Sequence, residues 1–270
     1  MSDLELEGSP AVALADYDSI ARVYDLWASC DPASKPCWDF YRREVTRHGG
    51  VCLEVGVGTG AVMLGAGPTV AHYYGIDLSR SMLAELETKR ASLPPLPFSY
   101  TLIHGDVRQI RLSGPPPTLA IVPFRTVGHF LTADSRIALL RHLREICAPG
   151  ARCILDHYKF NLKWAQQHDR VTRWMGEGTI NGQTFVLSDT YAYDFARREM
   201  ECLLCVEEIA RHGTVVNKRY SAFRFSWLED DEVYRYAEIA GWRVEQRWGD
   251  FEYSDFSGDA KDQVWLLRAP

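Results

Sequence analysis

The stretch VCLEVGVGTG, Val51 to Gly60, runs apolar through Val55 and then places glycine at every second position, 56, 58 and 60, with one acidic residue, Glu54, inside it. A buried strand ending in glycines gains a tight turn and a surface where a ligand can approach without meeting a Cβ. The spacing is GxGxG, one residue short of the dinucleotide pattern GxGxxG, so an NAD-dependent enzyme is disfavoured. Working outward, Asp77 ends the next strand-like run, VAHYYGIDL, 17 residues after Gly60. An acidic side chain there accepts hydrogen bonds from ribose hydroxyls. Asp106 ends a third run, FSYTLIHGDV, within reach of an adenine amino group. No Lys or Arg lies between Val51 and Ser79 to meet a phosphate. The pattern suits a nucleoside ligand that carries none.

The rest of the chain supplies the frame. Apolar runs alternate with helical patterns: SRSMLAELETKRASL, capped by Ser79, then PTLAIVPF, TADSRIALLRHLREIC and ARCILDHY. Strands separated by helices imply a mostly parallel sheet covered on both faces, with its ligand beyond the carboxyl ends of the strands. Before it, Ala13 to His48 reads as interrupted helix, with Tyr17, Tyr24 and Trp27 on roughly one face. From about Gly182 to Trp227 three alternating runs separated by ARR and RHGT read as an antiparallel meander. A helix ending at Gly241 and two closing strands follow. The expected division is an N-terminal helical cap (1–48), a cofactor-binding core (49–160), an antiparallel β insertion (161–227) and a C-terminal helix with closing strands (228–270), one domain overall.

Composition narrows the function. The 270 residues are 46% hydrophobic and carry a net charge of −6, enough for a sizeable core and unsuited to a nucleic-acid footprint. No apolar run reaches membrane-span length, and the acidic start MSDLELEGSP lacks a signal-peptide pattern, so a cytoplasmic location is expected. The seven cysteines are odd in number and scattered, which reads as reduced thiols. Cys202 and Cys205 have zinc-finger spacing but no second pair, and no metal is expected.

On these residues the chain resembles the class I S-adenosylmethionine-dependent methyltransferases of small molecules. LEVGVGTG is similar to their first motif, GIDLSRSML to their ribose-binding strand end, HGDV to their adenine-contacting turn, and LAIVPFRTVGHFLT to their fourth-strand segment. LRHLREICAPGARCILDHY resembles their helix, turn and fifth strand, with Ala in place of the turn's second Gly, and AGWRVEQRWGDFEYSDF resembles their closing segment. The resemblance implies an α/β Rossmann-like seven-stranded methyltransferase sheet with an N-terminal helical cap and an antiparallel β insertion. Its cofactor would be S-adenosyl-L-methionine, and its activity methyl transfer to an amine or hydroxyl of a small molecule. The alternative is a cofactor-binding, non-catalytic scaffold, which loss of the glycine turn would have favoured. A homodimer is left open.

The resemblance also implies a site. Cofactor contacts are expected from Tyr17 and Tyr24 in the cap, and from Glu54, beside the methionine moiety, with Gly56, Gly58 and Gly60. Asp77, Leu78, Met82, Gly105, Asp106, Val107 and Pro123 complete that set. His129, in FRTVGHF, matches a stretch of the amino-sugar N,N-dimethyltransferases whose histidine faces the substrate. His157 follows the fifth strand at the same edge, and both are candidates for catalysis. Trp27, Arg125, Tyr158 and Arg224 are the expected acceptor contacts, the two arginines for an anionic group. Those amino-sugar enzymes carry a tyrosine four residues after the one matching Tyr24, where this chain has Ala28.

Overall fold

In a computed structural model, which describes residues 16–270, the run that opens the glycine turn forms β1 (Gly50–Val55). Parallel neighbours cover both of its edges, β2 (Val70–Asp77) on one side and β4 (Leu119–Val122) on the other. β3 (Ser99–His104) pairs with β2, and β5 (Arg152–Tyr158) with β4. Two antiparallel strands, β10 (Arg243–Trp248) and β11 (Asp262–Arg268), close the sheet, whose order is β10-β11-β5-β4-β1-β2-β3.

The two-residue period of the strands divides the core between two helical layers. Cys52, Leu119 and Ile121 pack with Phe40, Tyr41 and Val45 of α2 (Ser34–His48) and Leu86 of α3 (Arg80–Ala91). Their neighbours Leu53, Val55, Ala120 and Val122 pack with Leu139, Leu140 and Leu143 of α4 (Ala133–Ile146) and with Val233 and Tyr236 of α6 (Glu232–Ile239). Helices on both faces leave the carboxyl edge of the sheet open. Ser79 caps α3 by accepting from the Met82 amide at 3.0 Å, and a Thr132–Ser135 capping box starts α4.

The meander is a second sheet of four strands, β6 (Thr172–Ile180), β7 (Gln183–Asp194), β8 (Glu199–Ile209) and β9 (Val215–Ser226), in sequential order. Three strands were expected. The extra one, β6, contains Gly176 and Gly178, residues that weaken a strand pattern. A Cβ on Gly178 would stand 2.5 Å from the Leu26 side chain, and one on Gly176 would stand 2.9 Å from the Cys30 sulfur. These glycines let the cap lie against the strand. A short helix, α5 (Leu162–His168), joins the core to β6.

Of the helical cap read over residues 1–48, the later part is α2 as expected, while the earlier part is less helical than its pattern suggests. A turn at residues 18–20 leads into a single 3-10 turn, Ala21–Val23, and a six-residue α1 (Tyr24–Ser29). The expected start of this helix at Ala13, like the rest of residues 1–15 of the 1–48 cap, lies outside the described residues. Ile20, Ala21 and Val23 are wedged between Met82 of α3 and Phe185, Leu187, Cys202, Leu204 and Phe223 of the meander. Cys202 and Cys205, three apart on β8, point to opposite faces, so that pair cannot share a metal. Among the described residues no helix is long and apolar enough to cross a membrane.

Candidate active site at the carboxyl edge of the sheet

β1 leaves the sheet through Gly56 and Gly58, at φ +71° and +54°. A Cβ on Gly58 would meet nothing closer than 3.9 Å, so the left-handed backbone, not crowding, requires glycine there. The turn is stapled to the end of β2. Asp77 accepts from the Gly58 amide through one oxygen and from the Ser79 amide through the other, each at 2.8 Å. Each oxygen keeps a further lone pair for a ligand hydroxyl. Burial pushes the Asp77 carboxyl above its ordinary range.

Glu54 lies behind this turn, 2% exposed, and accepts a hydrogen bond from the Tyr73 hydroxyl at 2.7 Å. Burial pushes its pKa up to about 8, so it is mostly protonated at neutral pH. Asp106 differs from its expected role. Its two oxygens are taken by the Arg108 amide and guanidinium at 2.6–3.1 Å, so it caps its own turn, and an adenine amino group would have to displace one of those bonds.

The cap closes over the turn. Asp18 accepts from the Ser79 hydroxyl and the Ser81 amide, at 2.6 and 2.9 Å. Asp25 accepts from Thr59 at 2.6 Å and pairs with Lys89. Tyr24 meets Tyr17 edge to face, and Trp27 stacks on Phe223 with ring centres 5.2 Å apart.

Between cap and meander sits His129. Its Nδ1 faces the Arg224 carbonyl at 3.2 Å, and a carbonyl only accepts, so Nδ1 carries the proton and Nε2 accepts from the Tyr17 hydroxyl at 2.8 Å. Burial lowers the His129 pKa to about 4. His157 is more enclosed. Its ring nitrogens face the carbonyls of Tyr158 and Ser226 at 2.9 and 3.2 Å, and burial lowers its pKa to about 3. The neutral ring has one N–H and donates to one of these carbonyls, and at 1% exposure it is poorly placed to reach a substrate.

A buried carboxylate sets the loop between β4 and His129. Phe124 and Arg125 are consecutive non-glycine residues in the left-handed region, at φ 54° and 63°. Their amides donate to the two oxygens of Asp156 at 2.8 and 2.9 Å, and the Tyr41 hydroxyl donates to the same group at 2.7 Å. The clamp holds a backbone conformation that otherwise costs of order 1–3 kcal/mol per residue.

These elements enclose a cavity of about 1690 Å³ running from the glycine turn to the meander. Of the expected site residues, Tyr17, Tyr24, Trp27, Gly56, Gly58, Asp77, Leu78, Met82, Gly105, Asp106, Val107, Arg125, His129, His157 and Tyr158 line it. Glu54, Gly60, Pro123 and Arg224 do not. Gly60 packs on Leu86, and the Pro123 carbonyl accepts from the Thr126 hydroxyl at 2.7 Å. The two arginines expected to meet an anion are paired already. Arg125 binds Asp31 at 2.5 Å and lies 3.8 Å from Asp262, while Arg224 binds Glu199. Asp18, Phe124, Arg173, Asp189, Tyr191 and Tyr193 also line the cavity and were not anticipated. The last three stand at alternate positions of β7, a period-2 signal that was readable in the meander.

Residues 52–150 match the family model described as a methyltransferase domain. A solved S-adenosylmethionine-dependent methyltransferase from Clostridium acetobutylicum superposes with a TM-score of 0.74 at 14% identity, covering 94% of this chain and 98% of that one. The CcbJ methyltransferase from Streptomyces caelestis gives 0.72 at 21% identity over 93% and 96%. CalS10, a methyltransferase of an amino pentose from Micromonospora echinaspora solved with S-adenosylmethionine bound, gives 0.66 at 17% identity over 92% and 97%. At such identities the likeness establishes the methyltransferase fold. No curated protein matches the chain.

Proposed function

We propose that this chain transfers a methyl group from S-adenosylmethionine to an amine of a small-molecule acceptor by in-line displacement. When bound, the cofactor supplies the methyl group on a positively charged sulfur. Asp77 takes the ribose hydroxyls with its remaining lone pairs, Glu54 lies on the methionine side, and Leu78, Met82 and Val107 flank the base.

The observation that carries the choice of amine is the Tyr17–His129 hydrogen bond. An alcohol must give up its proton as it attacks, which calls for a base that titrates near neutral pH. His129 is partly buried, its free lone pair is occupied by the Tyr17 hydroxyl, and desolvation lowers its pKa to about 4. A neutral amine needs no such base, because it attacks through its own lone pair and sheds a proton afterwards. Having donated its hydrogen to His129, the Tyr17 oxygen is left as an acceptor for an amine N–H, which aims the nitrogen lone pair along the transfer axis. The closed cap keeps water from that axis. The fold shared with an amino pentose methyltransferase agrees with this reading.

Isotopically labelled S-adenosylmethionine offered with a panel of amines and alcohols, read by mass spectrometry, tests it. Labelled methylamines are the expected products, and labelled ethers in their place would refute it. In the same assay His129→Asn should lower turnover by about tenfold at every pH. A loss of roughly 10²-fold or more that tracks pH would make the ring a general base instead.

A further inference from the structure

At the meander end of the cavity Arg173 of β6 stands directly across from Asp189 of β7. Its Nε and Nη2 donate to that carboxylate at 2.9–3.1 Å, and Asp189 is 1% exposed. The guanidinium is also held between two rings, 5.1 Å from the centre of Trp164 and 5.2 Å from that of Tyr191. Tyr191 and Tyr193 lie two apart on one face of β7, nearly parallel at 24° with ring centres 6.2 Å apart. Trp164 and Trp174 line the same end and are 38% and 68% exposed. Exposed large aromatic surface at the edge of a pocket marks a ligand or partner contact.

Resting on the amine-methyltransferase reading, we infer that the acceptor amine is attached to a flat, uncharged ring system. This body lies along Tyr191 and Tyr193, leaves over Trp164 and Trp174, and places a neutral oxygen on Arg173. Size and charge decide this. The cavity exceeds the roughly 300–1,000 Å³ of ordinary small-ligand sites, so it holds a bulky acceptor beside the cofactor. The three arginines that line it, 108, 125 and 173, each face a carboxylate, and together with the lining Lys159 and Lys261 they are outnumbered by six aspartates, Asp18, Asp31, Asp77, Asp106, Asp189 and Asp259. A polyanionic acceptor, such as one bearing a diphosphate, would find those guanidinium charges already balanced and Asp189 repelling it. A second cation would meet Arg173. A neutral oxygen loses nothing to either charge and takes the Arg173 edge that Asp189 leaves free. Stacking on aromatic walls favours a planar apolar body.

The probe is 2-aminoacridone, a flat uncharged aromatic amine with one ring carbonyl for Arg173, titrated by fluorescence into protein saturated with S-adenosylhomocysteine. One molecule should bind per chain with the cofactor product still in place. Trp174→Ala and Tyr193→Ala should each weaken it about tenfold, and Tyr193→Phe should restore it, with S-adenosylhomocysteine affinity unchanged throughout. Millimolar pyrophosphate should not displace it. Displacement by pyrophosphate, competition with S-adenosylhomocysteine, or unchanged binding in both alanine variants would overturn the inference. So would a Trp174→Ala variant that turns a dimer into a monomer while binding the probe normally, since a second copy of the chain would then own the exposed ring. Failure of the underlying reading shows separately, as labelled ethers in place of methylamines in the transfer assay, or as no S-adenosylhomocysteine binding by the unaltered protein.

Discussion

Asp77 closes the glycine turn through the Gly58 amide and keeps further lone pairs on the same carboxylate, which on the proposed reading take the ribose. Asp77→Ala should therefore cost about 1.5–3 kcal/mol of cofactor affinity, roughly 10- to 100-fold, for lost bonds to a charged acceptor. Calorimetric titration with S-adenosylhomocysteine checks it, and unchanged affinity would remove Asp77 from the ribose site. Glu54 gives a second prediction at this scale. Held at a pKa of about 8 by burial, it is mostly protonated in the free protein at pH 7. Glu54 does not line the cavity, so a cationic methionine group acts on it from across the glycine turn, favouring the ionised form and drawing off part of that proton as the cofactor binds. Binding enthalpies at pH 7 should then differ between buffers of different ionisation heat, and Glu54→Gln should abolish the difference.

Elements decide access. The cap touches the cofactor site at three places: Asp18 on the start of α3, Asp25 on Thr59, and Tyr17 on His129. Ile20, Ala21 and Val23 anchor it in a small cluster with the meander, apart from the two layers on the main sheet, and a short segment held by so local a cluster opens at lower cost than the sheet. The segment from residue 16 to Cys30 should exchange its amide hydrogens more slowly with S-adenosylhomocysteine bound than without it. Equal protection in both states would mean a permanently packed cap. The elements also show what the sequence made legible. The five parallel strands, α3 and α4 were readable, because buried alternation and the caps at Ser79 and Thr132 are local signals. The strand β6 was not, because Gly176 and Gly178 serve the cap packed on them and leave no strand pattern. The cap helix was overread, because the 3.6-residue spacing of its apolar residues is answered by a 3-10 turn and one short helix wedged between two other elements.

At the scale of the whole molecule, the missing parts of the site share one cause. That Arg125 is spent on Asp31, or that Tyr17 occupies His129, depends on contacts across 94 and 112 residues of chain, and such pairings leave no local signature. Their summed effect is a buried, largely neutral interior, and this has a consequence for stability against pH. His129 and His157 have folded pKa values of about 4 and 3 against an ordinary 6.5. Their contribution is complete only above about 7.5 and is lost as pH falls through the ordinary 6.5 toward the folded values, where the unfolded chain takes up protons that the folded one refuses. Glu54 works in the opposite sense. With a folded value of about 8 against an ordinary 4.5, the folded protein holds a proton that the unfolded chain has released, so stability falls as pH rises through that interval. Asp156, at about 6 in the folded state, acts the same way but is spent by then. Above about pH 7.5 both histidines are nearly neutral in either state, and between there and pH 8 Glu54 dominates. The cofactor-free protein should therefore lose stability across that window, at no more than one proton's worth, about 1.4 kcal/mol per pH unit. Above pH 8 the buried thiols of Cys37, Cys52 and Cys153, all pushed up by burial, extend the fall. Scanning calorimetry at half-unit steps checks the sign. Glu54→Gln should flatten the profile between about 7.5 and 8 and leave the decline above it, whereas a wild-type midpoint that rises with pH in this window would show that Glu54 is ionised in the free protein.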